Sequence, residues 1–429
     1  MASEKSDRHE VANITKSILI LTADVGYGHR SAANAIAAAL KETYGERCAV
    51  QIENPLDDPR SPSILREVQT DYDRLVRQMP DAYKLSYQVT NEPVPNYVVV
   101  RALIVLLYRV LSETLNRIKP DAVVVTNQIY SAPLNAVIAM NRWPLPYLTT
   151  DTDLTHVHRQ WFYEGIDLLL VPTQEVFHQA LESGFTEERV CVTGIPINPH
   201  IPMENRSQEA IRAQLGWEIG RTTVLVVGSK RVKNLEGVLQ ALNHSGLPVQ
   251  LVLVAGGDDA LFEQFENTAW HLPVYRYNYI KEMPAFLHAA DCILSKAGGL
   301  IVSESLACGL PLLFVDVTPG QEEGNAEYVV RNGAGEMATE PIQALETLFH
   351  WLDKDRQLLE LHAGNAHALG KPRSAFEAAD LAWEMAQHGR VRSPRMTEQA
   401  LKVLGEMLRS FGISSQADWP QIGLSDQAG

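Results

Sequence analysis

Residues 292–325 read CILSKAGGLIVSESLACGLPLLFVDVTPGQEEGN and predict two consecutive strand–turn–helix units. In the first unit, an apolar run at 292–294 precedes a small-residue turn at 297–299, and an apolar-periodic helical segment follows. In the second, the apolar run at 311–315 precedes another turn and a cluster of polar side chains. Because consecutive units of this kind form parallel sheets, both turns should lie at the carboxyl edge of one sheet, where ligands bind.

The two turns carry groups that suit a nucleotide-sugar. Glycines at a helix start let backbone N–H groups approach a phosphate, and the helix dipole favours its negative charge. Glu304 lies about 7 Å along the helix from Gly299, which is about one sugar away from a phosphate held at the turn. We therefore expect pyrophosphate on the glycine turn, ribose on Glu304, and a hexose on Gln321 and Glu322. The predicted donor-binding residues here are Gly298, Gly299, Leu300, Glu304, Gln321, Glu322 and Asn325.

In order and spacing, this segment resembles the donor site of GT-B glycosyltransferases, in particular the group of monogalactosyldiacylglycerol synthase, diglucosyldiacylglycerol synthase and MurG-like enzymes. That group carries a Lys-Pro/Ala-Gly-Gly turn, a Ser/Ala-Glu pair in the next helix and a Pro-Gly-Gln-Glu…Asn turn, and all three occur here. The resemblance implies an α/β protein with the GT-B fold, in which two Rossmann-like, doubly wound parallel-sheet domains face a central cleft. The alternative, an ordinary glycine-bearing turn of a Rossmann-like domain, leaves the second polar cluster unexplained.

A second motif, DVGYGH at 24–29, lies between a buried-strand pattern and an alanine-rich helix. A helix N-terminus disfavours a positive imidazole, so the pKa of His29 should fall. A neutral histidine accepts a proton at pH 7, which suits a general base. The glycolipid synthases of the group carry a similar turn ending in Gly-His, which implies that His29 deprotonates the acceptor hydroxyl beside Gly26 and Gly28. The alternative is a helix-capping histidine without chemistry.

The segment 151–165, DTDLTHVHRQWFYEG, follows a predicted strand and should line the cleft. The resembled group has a similar Thr-Asp…His…Trp-Phe stretch, which Asp153, His158, Trp161 and Phe162 match. The resemblance implies acceptor-binding roles for Asp153, His158 and Trp161. One candidate role for Asp153 is to orient His29, and another is to shape the acceptor pocket.

Two further segments complete the predicted donor site. In relatives the uracil base is held just after a strand, at a position that corresponds to Tyr279 and Ile280; the alternative is a core-facing aromatic. The first turn of the C-terminal half, at 228–234, carries fewer glycines than is usual in the group. Lys230 could instead supply charge to the diphosphate, or it is solvated surface. The predicted donor-binding residues in these segments are Tyr279, Ile280, Gly228, Ser229 and Lys230.

No metal or cofactor is expected, and the UDP-sugar would be a co-substrate. Around His156 and His158 no carboxylate–histidine helix spacing is present. The four cysteines are scattered and predict neither a disulfide framework nor a zinc site. By resemblance, backbone N–H groups rather than a metal would hold the charge of the leaving UDP.

Charge and hydropathy restrict the partners. The net charge of −15 argues against nucleic acid. Residues 60–119, however, hold nine basic and six acidic side chains together with the apolar stretch Tyr97–Leu111. Such a composition suits a membrane surface; the alternative for Tyr97–Leu111 is a helix packed on the sheet. That stretch is too short and too charged to span a bilayer, and residues 1–16 lack a secretory apolar core. We expect a cytoplasmic, peripheral enzyme at the inner face of the cell membrane, bound through its N-terminal domain.

Strand and helix patterns alternate along 429 residues, as in α/β domains with parallel sheets. The predicted strands lie near 17–23, 49–54, 121–126, 146–150, 167–171, 190–193, 222–228, 249–255, 273–276, 291–294, 311–315 and 335–338. Predicted helices in the first half lie near 30–44, 63–79, 97–118, 131–141 and 174–184. The predicted divisions are a flexible N-terminus at 1–16, an acceptor domain at 17–199, a UDP-sugar domain at 200–390 and a helical extension at 391–429. In GT-B folds a C-terminal helix often crosses back to the first domain, and 396–411 would do so.

Together these features predict inverting transfer of a hexose, glucose or galactose, from UDP to a lipid hydroxyl. Diacylglycerol is the leading acceptor, and isoprenoid or other lipid alcohols remain open. The main rival is a UDP-N-acetylglucosamine 2-epimerase, which shares the architecture but consumes no acceptor. A non-catalytic nucleotide-sugar-binding module is a third possibility.

Overall fold

The computed structural model describes residues 15–24, 27–67, 79–229, 232, 234–318, 320, 322–389 and 396–413. Two six-stranded parallel sheets follow one another along the chain, and helices cover both faces of each. This arrangement confirms the predicted α/β class with two doubly wound sheets. Each of the predicted strands is present, within two residues at either end.

The first sheet has the strand order β2-β1-β3-β4-β5-β6. Its strands are β1 (Lys16–Leu21), β2 (Cys48–Glu53), β3 (Ala122–Val125), β4 (Tyr147–Thr150), β5 (Leu168–Val171) and β6 (Val190–Val192). The four residues of β3, and likewise of β4 and β5, are all buried. Continuous apolar runs are what a parallel strand needs, because helices cover it on both faces.

The second sheet has the order β12-β11-β10-β7-β8-β9. Its strands are β7 (Thr222–Val227), β8 (Val249–Val254), β9 (Val274–Tyr277), β10 (Cys292–Lys296), β11 (Leu312–Asp316) and β12 (Gly335–Met337). In both sheets the strand order reverses beside the first strand of the series. The crevice at such a reversal is where open α/β sheets bind ligands.

Helices connect the strands. In the first half they are α1 (Tyr27–Tyr44), α2 (Pro80–Asn91), α3 (Pro93–Ile118), α4 (Ser131–Asn141) and α5 (Gln174–Glu182). In the second half they are α6 (Gln208–Leu215), α7 (Leu235–Asn243), α8 (Asp259–Asn267), α9 (Met283–Ala289), α10 (Gly299–Ala307), α11 (Glu323–Arg331), α12 (Pro341–Leu369), α13 (Ser374–His388) and α14 (Glu398–Ser410). The predicted helix at 63–79 lies mostly outside the described residues. Sequence patterns did not predict α2, although proline in the first turn is a common helix start.

The chain returns to the first sheet at its end. The alanine-rich face of α13 packs into the same core cluster as Ile18 and Ile20 of β1. Leu404 and Leu408 of α14 are buried in the other core cluster of the first half, and Gly405 approaches Met140 of α4. The predicted UDP-sugar domain, 200–390, included α13, but the small apolar side chains of this helix fit the first sheet. Two helices therefore cross back, rather than the one predicted at 396–411.

Candidate active site

A cavity of about 620 Å³ lies between the two sheets. Its volume is within the usual range for small-molecule sites. The carboxyl ends of β1 and β4 supply one wall, and those of β10 and β11 supply the other. The predicted site residues that line it are Gly28, His29, Asp153, Gly228, Ser229, Tyr279, Ile280, Gly298, Gly299, Leu300, Glu304, Glu322 and Asn325. Gly26, Lys230 and Gln321 lie outside the described residues.

His29 lies in the first turn of α1 and is buried. Its Nδ1 is 2.8 Å from the carbonyl oxygen of Thr126 and 3.2 Å from the hydroxyl of Thr152. A carbonyl only accepts hydrogen bonds, so Nδ1 carries the proton and donates it to Thr126. In the neutral ring, Nε2 is then the nitrogen that can accept a proton.

Burial lowers the pKa of His29 to about 4, whereas its hydrogen bond to Thr126 acts in the opposite direction. The fall in pKa was expected, but the helix N-terminus was expected to cause it, and burial is the larger cause. At pH 7 the imidazole is neutral, as a general base requires. A bound diphosphate would raise this pKa again, because a nearby negative charge favours the imidazolium.

Asp153 does not contact His29 through any hydrogen bond among the described residues, so the expected orienting role belongs instead to Thr126 and Thr152. Its Oδ2 accepts a hydrogen bond from the indole of Trp161 at 3.3 Å. Trp161 is fully buried, and its ring lies 6.0 Å from that of His29, centroid to centroid. Trp161 therefore does not line the cavity; it packs behind Asp153 and His29, which do.

The carboxyl group of Asp153 has a second carboxyl neighbour. The fully buried Asp151 accepts the backbone N–H of Asp153 at 3.1 Å. Burial raises the pKa of both carboxyl groups, and the negative charge of Asp153 raises that of Asp151 further. Asp151 is therefore favoured in its neutral form at pH 7, whereas Asp153, which lines the cavity and has a pKa of about 7, is close to half ionised.

His158 does not line the cavity; it contacts neighbouring protein groups instead. Its Nδ1 accepts the N–H of Gln160, and its Nε2 lies 3.3 Å from the hydroxyl of Thr90 on α2. Burial lowers its pKa to about 4, so the ring is neutral at pH 7. The side chain thus fixes α2 to the loop after β4, and a direct contact with the acceptor stays a prediction.

The start of α10 forms the donor wall. In any α-helix the first N–H groups have no carbonyl partner within the helix, and here those groups belong to Gly299, Leu300 and Ile301. Gly299 meets the backbone of the first domain so closely that a Cβ built on it would lie 2.6 Å from the carbonyl oxygen of Thr152. Glycine is therefore required at this position by the contact between the two walls.

Lys296 at the end of β10 forms an ion pair with Glu322 just before α11. Glu322 is buried, and its other oxygen accepts the N–H of Thr318 at 3.0 Å. Both residues line the cavity beside Gly298. The pair brings one positive and one negative group to the predicted position of the sugar and diphosphate. Sequence reasoning missed Lys296, although a cation directly before a glycine turn is a usable signal.

Asn325 connects the two walls. Its Nδ2 donates to the carbonyl of Ala297 at 3.0 Å, and its Oδ1 accepts the N–H of Leu154 at 2.9 Å. Beside it, the hydroxyl of Thr155 donates to the carbonyl of Gly324 at 2.9 Å. The side-chain amide of Asn325 is thus hydrogen-bonded to a backbone group of each wall. Asn325 therefore lines the cavity and also links the two walls.

Glu304 is buried on α10 and lines the cavity. Burial raises its pKa to about 7, and a hydrogen bond from the backbone of Asn198 opposes that rise. Asn198, Pro199 and His200, from the segment between the two sheets, line the cavity beside it. The sequence did not predict a binding role for this linker.

Tyr279 and Ile280 follow β9 at the far end of the cavity. Tyr279 is 68% exposed, so the alternative of a core-facing aromatic is wrong for this ring. Gly228 and Ser229 follow β7 and lie on the same side of the cavity. An exposed aromatic ring next to an open cavity is available to stack on a flat base.

Two absences hold for the described part of the chain. His, Cys, Asp and Glu side chains form no group of three or more there that could hold a metal ion. None of the helices described is both long and apolar enough to cross a bilayer.

Comparisons with known proteins agree with this geometry. The family model "Monogalactosyldiacylglycerol (MGDG) synthase" matches residues 29–197, and the model "Glycosyltransferase family 28 C-terminal domain" matches residues 222–381. Monogalactosyldiacylglycerol synthase 3, chloroplastic, of Arabidopsis thaliana is 26% identical over 375 residues, which cover 84% of this chain and 80% of that protein.

Solved structures share the architecture. MurG of Acinetobacter baumannii is 18% identical, with a TM-score of 0.53 over 86% of this chain and 100% of that one. A UDP-GlcNAc 2-epimerase of Neisseria meningitidis bound to UDP-GlcNAc is 13% identical, with a TM-score of 0.54 over 86% of this chain and 100% of that one. At these identities the likeness establishes the GT-B fold alone.

The two facing sheets, the cleft between them and the two family matches define a GT-B glycosyltransferase that takes a UDP-sugar. Within that class the chain resembles the monogalactosyldiacylglycerol synthases in sequence and MurG in fold. The resemblance drawn from the two glycine-containing motifs is thereby confirmed.

Proposed function

We propose that this enzyme transfers a hexose, glucose or galactose, from UDP to a lipid hydroxyl with inversion at the anomeric carbon. Diacylglycerol is the leading acceptor, because the curated relatives over most of the chain are named monogalactosyldiacylglycerol synthases. The observation that carries the proposal is that the proton-accepting His29 and the N-terminus of α10 line one cavity.

The donor would bind along the second wall. The N–H groups of Gly299 and Leu300 and the ammonium of Lys296 supply positive charge for the diphosphate. Ribose hydroxyls would donate to Glu304, and the uracil would rest near Tyr279. The hexose would then extend towards Glu322, on the side of the cavity nearer to the first domain.

The reaction needs a base on the face of the sugar opposite to UDP. His29 Nε2 would remove the proton of the acceptor hydroxyl as that oxygen attacks the anomeric carbon. The bond from the anomeric carbon to the UDP oxygen breaks, and the charge on UDP is held by the start of α10. The proton on His29 returns to solvent after the product leaves. Contacts such as those of Asn325 keep the walls together and limit hydrolysis of the donor by water.

This scheme assigns the stabilisation of UDP to backbone N–H groups and Lys296, and it expects no metal. Incubation with a chelator should therefore leave the transfer rate within about twofold of the untreated enzyme. A loss that Mg²⁺ or Mn²⁺ restores would contradict this part of the proposal.

The lipid acceptor would be reached from a membrane surface on the first domain. Around α2 and the start of α3, large apolar side chains are exposed to solvent. We call these residues the apolar patch; they are Met79, Leu85, Val89, Val94, Tyr97 and Val98. From Leu103 to Leu115 one face of α3 is buried, so the patch includes the protruding start of this helix. Exposed apolar groups beside Arg101, whose guanidinium lies over the ring of Tyr97, suit an anionic bilayer.

Membrane docking can be tested with vesicles that contain anionic phospholipid. Replacing Val94 and Val98 by Asp should abolish most co-sedimentation with the vesicles. Ile342→Asp is the matched control, because Ile342 is 61% exposed on the second domain, like Val98 on the first. Equal binding by both variants would contradict the assigned surface.

The reaction is tested with a panel of radiolabelled UDP-sugars and lipid acceptors, read by thin-layer chromatography. We expect label in a lipid product with UDP-glucose or UDP-galactose and diacylglycerol, and none without lipid. The same incubation without lipid detects an epimerised UDP-sugar, which would support the rival activity. Absence of a labelled lipid with every acceptor tried would refute the proposal.

A further inference from the structure

Helix α2 contacts the second domain although it belongs to the first. The ammonium of Lys84 lies 2.8 Å from the carboxylate of Glu323 at the start of α11. The side chains of Lys84 and Tyr87 lie against Gly320: a Cβ built on Gly320 would be 3.7 Å from the ring of Tyr87. These contacts fall on the segment between β11 and α11 that carries Glu322, the predicted partner of the hexose.

The first domain holds α2 in place by a separate set of contacts. Tyr87 donates to the carbonyl of His156 at 3.3 Å, and its ring packs edge-on against His158 at 5.0 Å. The backbone N–H of Arg159 donates to the side chain of Asn91 at 2.7 Å. All of these partners belong to the loop that follows Asp153. The helix therefore spans from the acceptor loop to the donor segment.

Side-chain burial shows that α2 is placed by these contacts rather than by a core. None of its described side chains is buried, and Leu85 and Val89 on its outer face belong to the apolar patch. The contacts described for its inner face are mostly polar, and they include the aromatic contact of Tyr87 with His158. A helix of 12 residues whose described side chains are all at least partly exposed would not be stable alone, so the partners on both domains define its position.

We propose that α2 completes the sugar end of the donor site, with Lys84 and Tyr87 as positioning residues for Gly320, Glu322 and Glu323. The inference rests on the proposed UDP-sugar function and assigns to it two residues outside the cavity lining. Gly320 has a φ of +86°, so its backbone conformation depends on glycine and gains support from the packing of Tyr87. Lys84 fixes the first turn of α11, and Glu322 immediately precedes that turn.

A charge reversal tests the ion pair. Lys84→Glu places two carboxylates together, so the dissociation constant of a UDP-hexose should rise about fivefold, near the upper limit for an exposed pair. UDP alone should be affected less than twofold, because its contacts lie at α10 and Tyr279. The double change Lys84→Glu with Glu323→Lys should restore UDP-hexose affinity to within about twofold of wild type. Tyr87→Ala should show the same selectivity for the hexose-bearing ligand.

The matched control lies at the other end of α11. Arg331 forms an ion pair with Glu175 of α5 at 2.5 Å, which also links the two domains and is similarly exposed. Arg331→Glu should leave the affinity for UDP-hexose and for UDP within about twofold. Binding is measured by calorimetry without lipid, so the result is independent of the acceptor, and the melting temperature of each variant checks that it is folded.

The outcomes separate this inference from the function on which it rests. If wild-type protein binds no UDP-sugar, the proposed function and the inference both fail. If wild type binds, the inference alone is overturned by any of three results: Lys84→Glu equals Arg331→Glu, Lys84→Glu weakens UDP as much as UDP-hexose, or the charge swap restores nothing.

Discussion

Two glycine-containing turns between a strand and a helix, those before α1 and α10, give opposite results. At the start of α1 the turn delivers a side chain, the buried imidazole of His29, to the cavity. At the start of α10 it delivers backbone N–H groups, and Gly299 has no room for a side chain. A Cβ on Gly28, in contrast, would meet nothing within 4 Å.

This difference separates the two chemical tasks of the site. A base must be a side chain with a defined tautomer, and the carbonyl of Thr126 fixes that tautomer. An anion is held well by a helix start, provided that no side chain blocks it. Local sequence alone shows two similar turns, and their chemistry differs because of what packs against each one.

The largest expected effect is on the rate of the transfer step and not on donor binding. His29→Ala should lower the transfer rate at saturating donor by about 10²-fold or more, the usual scale for a general base. Affinity for UDP should stay within about twofold, because the donor groups lie on the other wall. Steady-state kinetics measures the transfer rate, and calorimetry measures the UDP affinity. A His29→Ala variant that turns over as fast as the wild type would contradict the assignment of His29 as the base.

A pair of glycine variants sharpens the contrast between the turns. Gly299→Ala forces a shift of α10 away from Thr152, so UDP affinity should fall by about tenfold or more. Gly28→Ala, which adds its methyl group to open space, should leave UDP affinity and the melting temperature nearly unchanged. Equal effects of the two changes would show that packing does not distinguish the turns.

Glu304→Ala should weaken UDP binding by up to about tenfold, the range of an ordinary hydrogen bond. Transfer at saturating donor should fall much less than with His29→Ala, since the proposal assigns Glu304 to the ribose and not to the acceptor. Unchanged affinity by calorimetry would remove the ribose role.

The smallest expected effect is a pH dependence. Burial raises the pKa of Glu304 to about 7, so the carboxyl is mostly neutral at pH 6 and mostly ionised at pH 8. An ionised carboxylate accepts stronger hydrogen bonds from ribose hydroxyls. We therefore divide the association constant of the wild type for UDP by that of Glu304→Gln. This ratio should grow about threefold from pH 6 to pH 8. The titration of UDP itself cancels in this ratio, and a flat ratio would count against the ionised carboxylate.

The sequence predicted the strands, the two motifs and the shared cavity, because buried strands and glycine turns are local patterns. It placed His29, Glu304 and Gly299 on the cavity correctly. Their roles at the site stay predictions until the variants are measured.

Features that depend on long-range packing were missed. Thr126 was not recognised as the partner of His29, because the two are far apart in sequence and the contact uses a backbone carbonyl. Trp161 and His158 matched a motif and were assigned to the acceptor, yet packing places them behind the cavity lining. The link between α2 and Glu323 joins residues 239 positions apart, and no local pattern carries it.

The most direct test of the account is a structure of the enzyme with UDP bound. The account predicts the diphosphate at the N–H groups of Gly299 and Leu300, the ribose on Glu304, and space for one hexose between the β-phosphate and Nε2 of His29. A diphosphate bound elsewhere, or a gap to His29 that no single sugar could bridge, would contradict it.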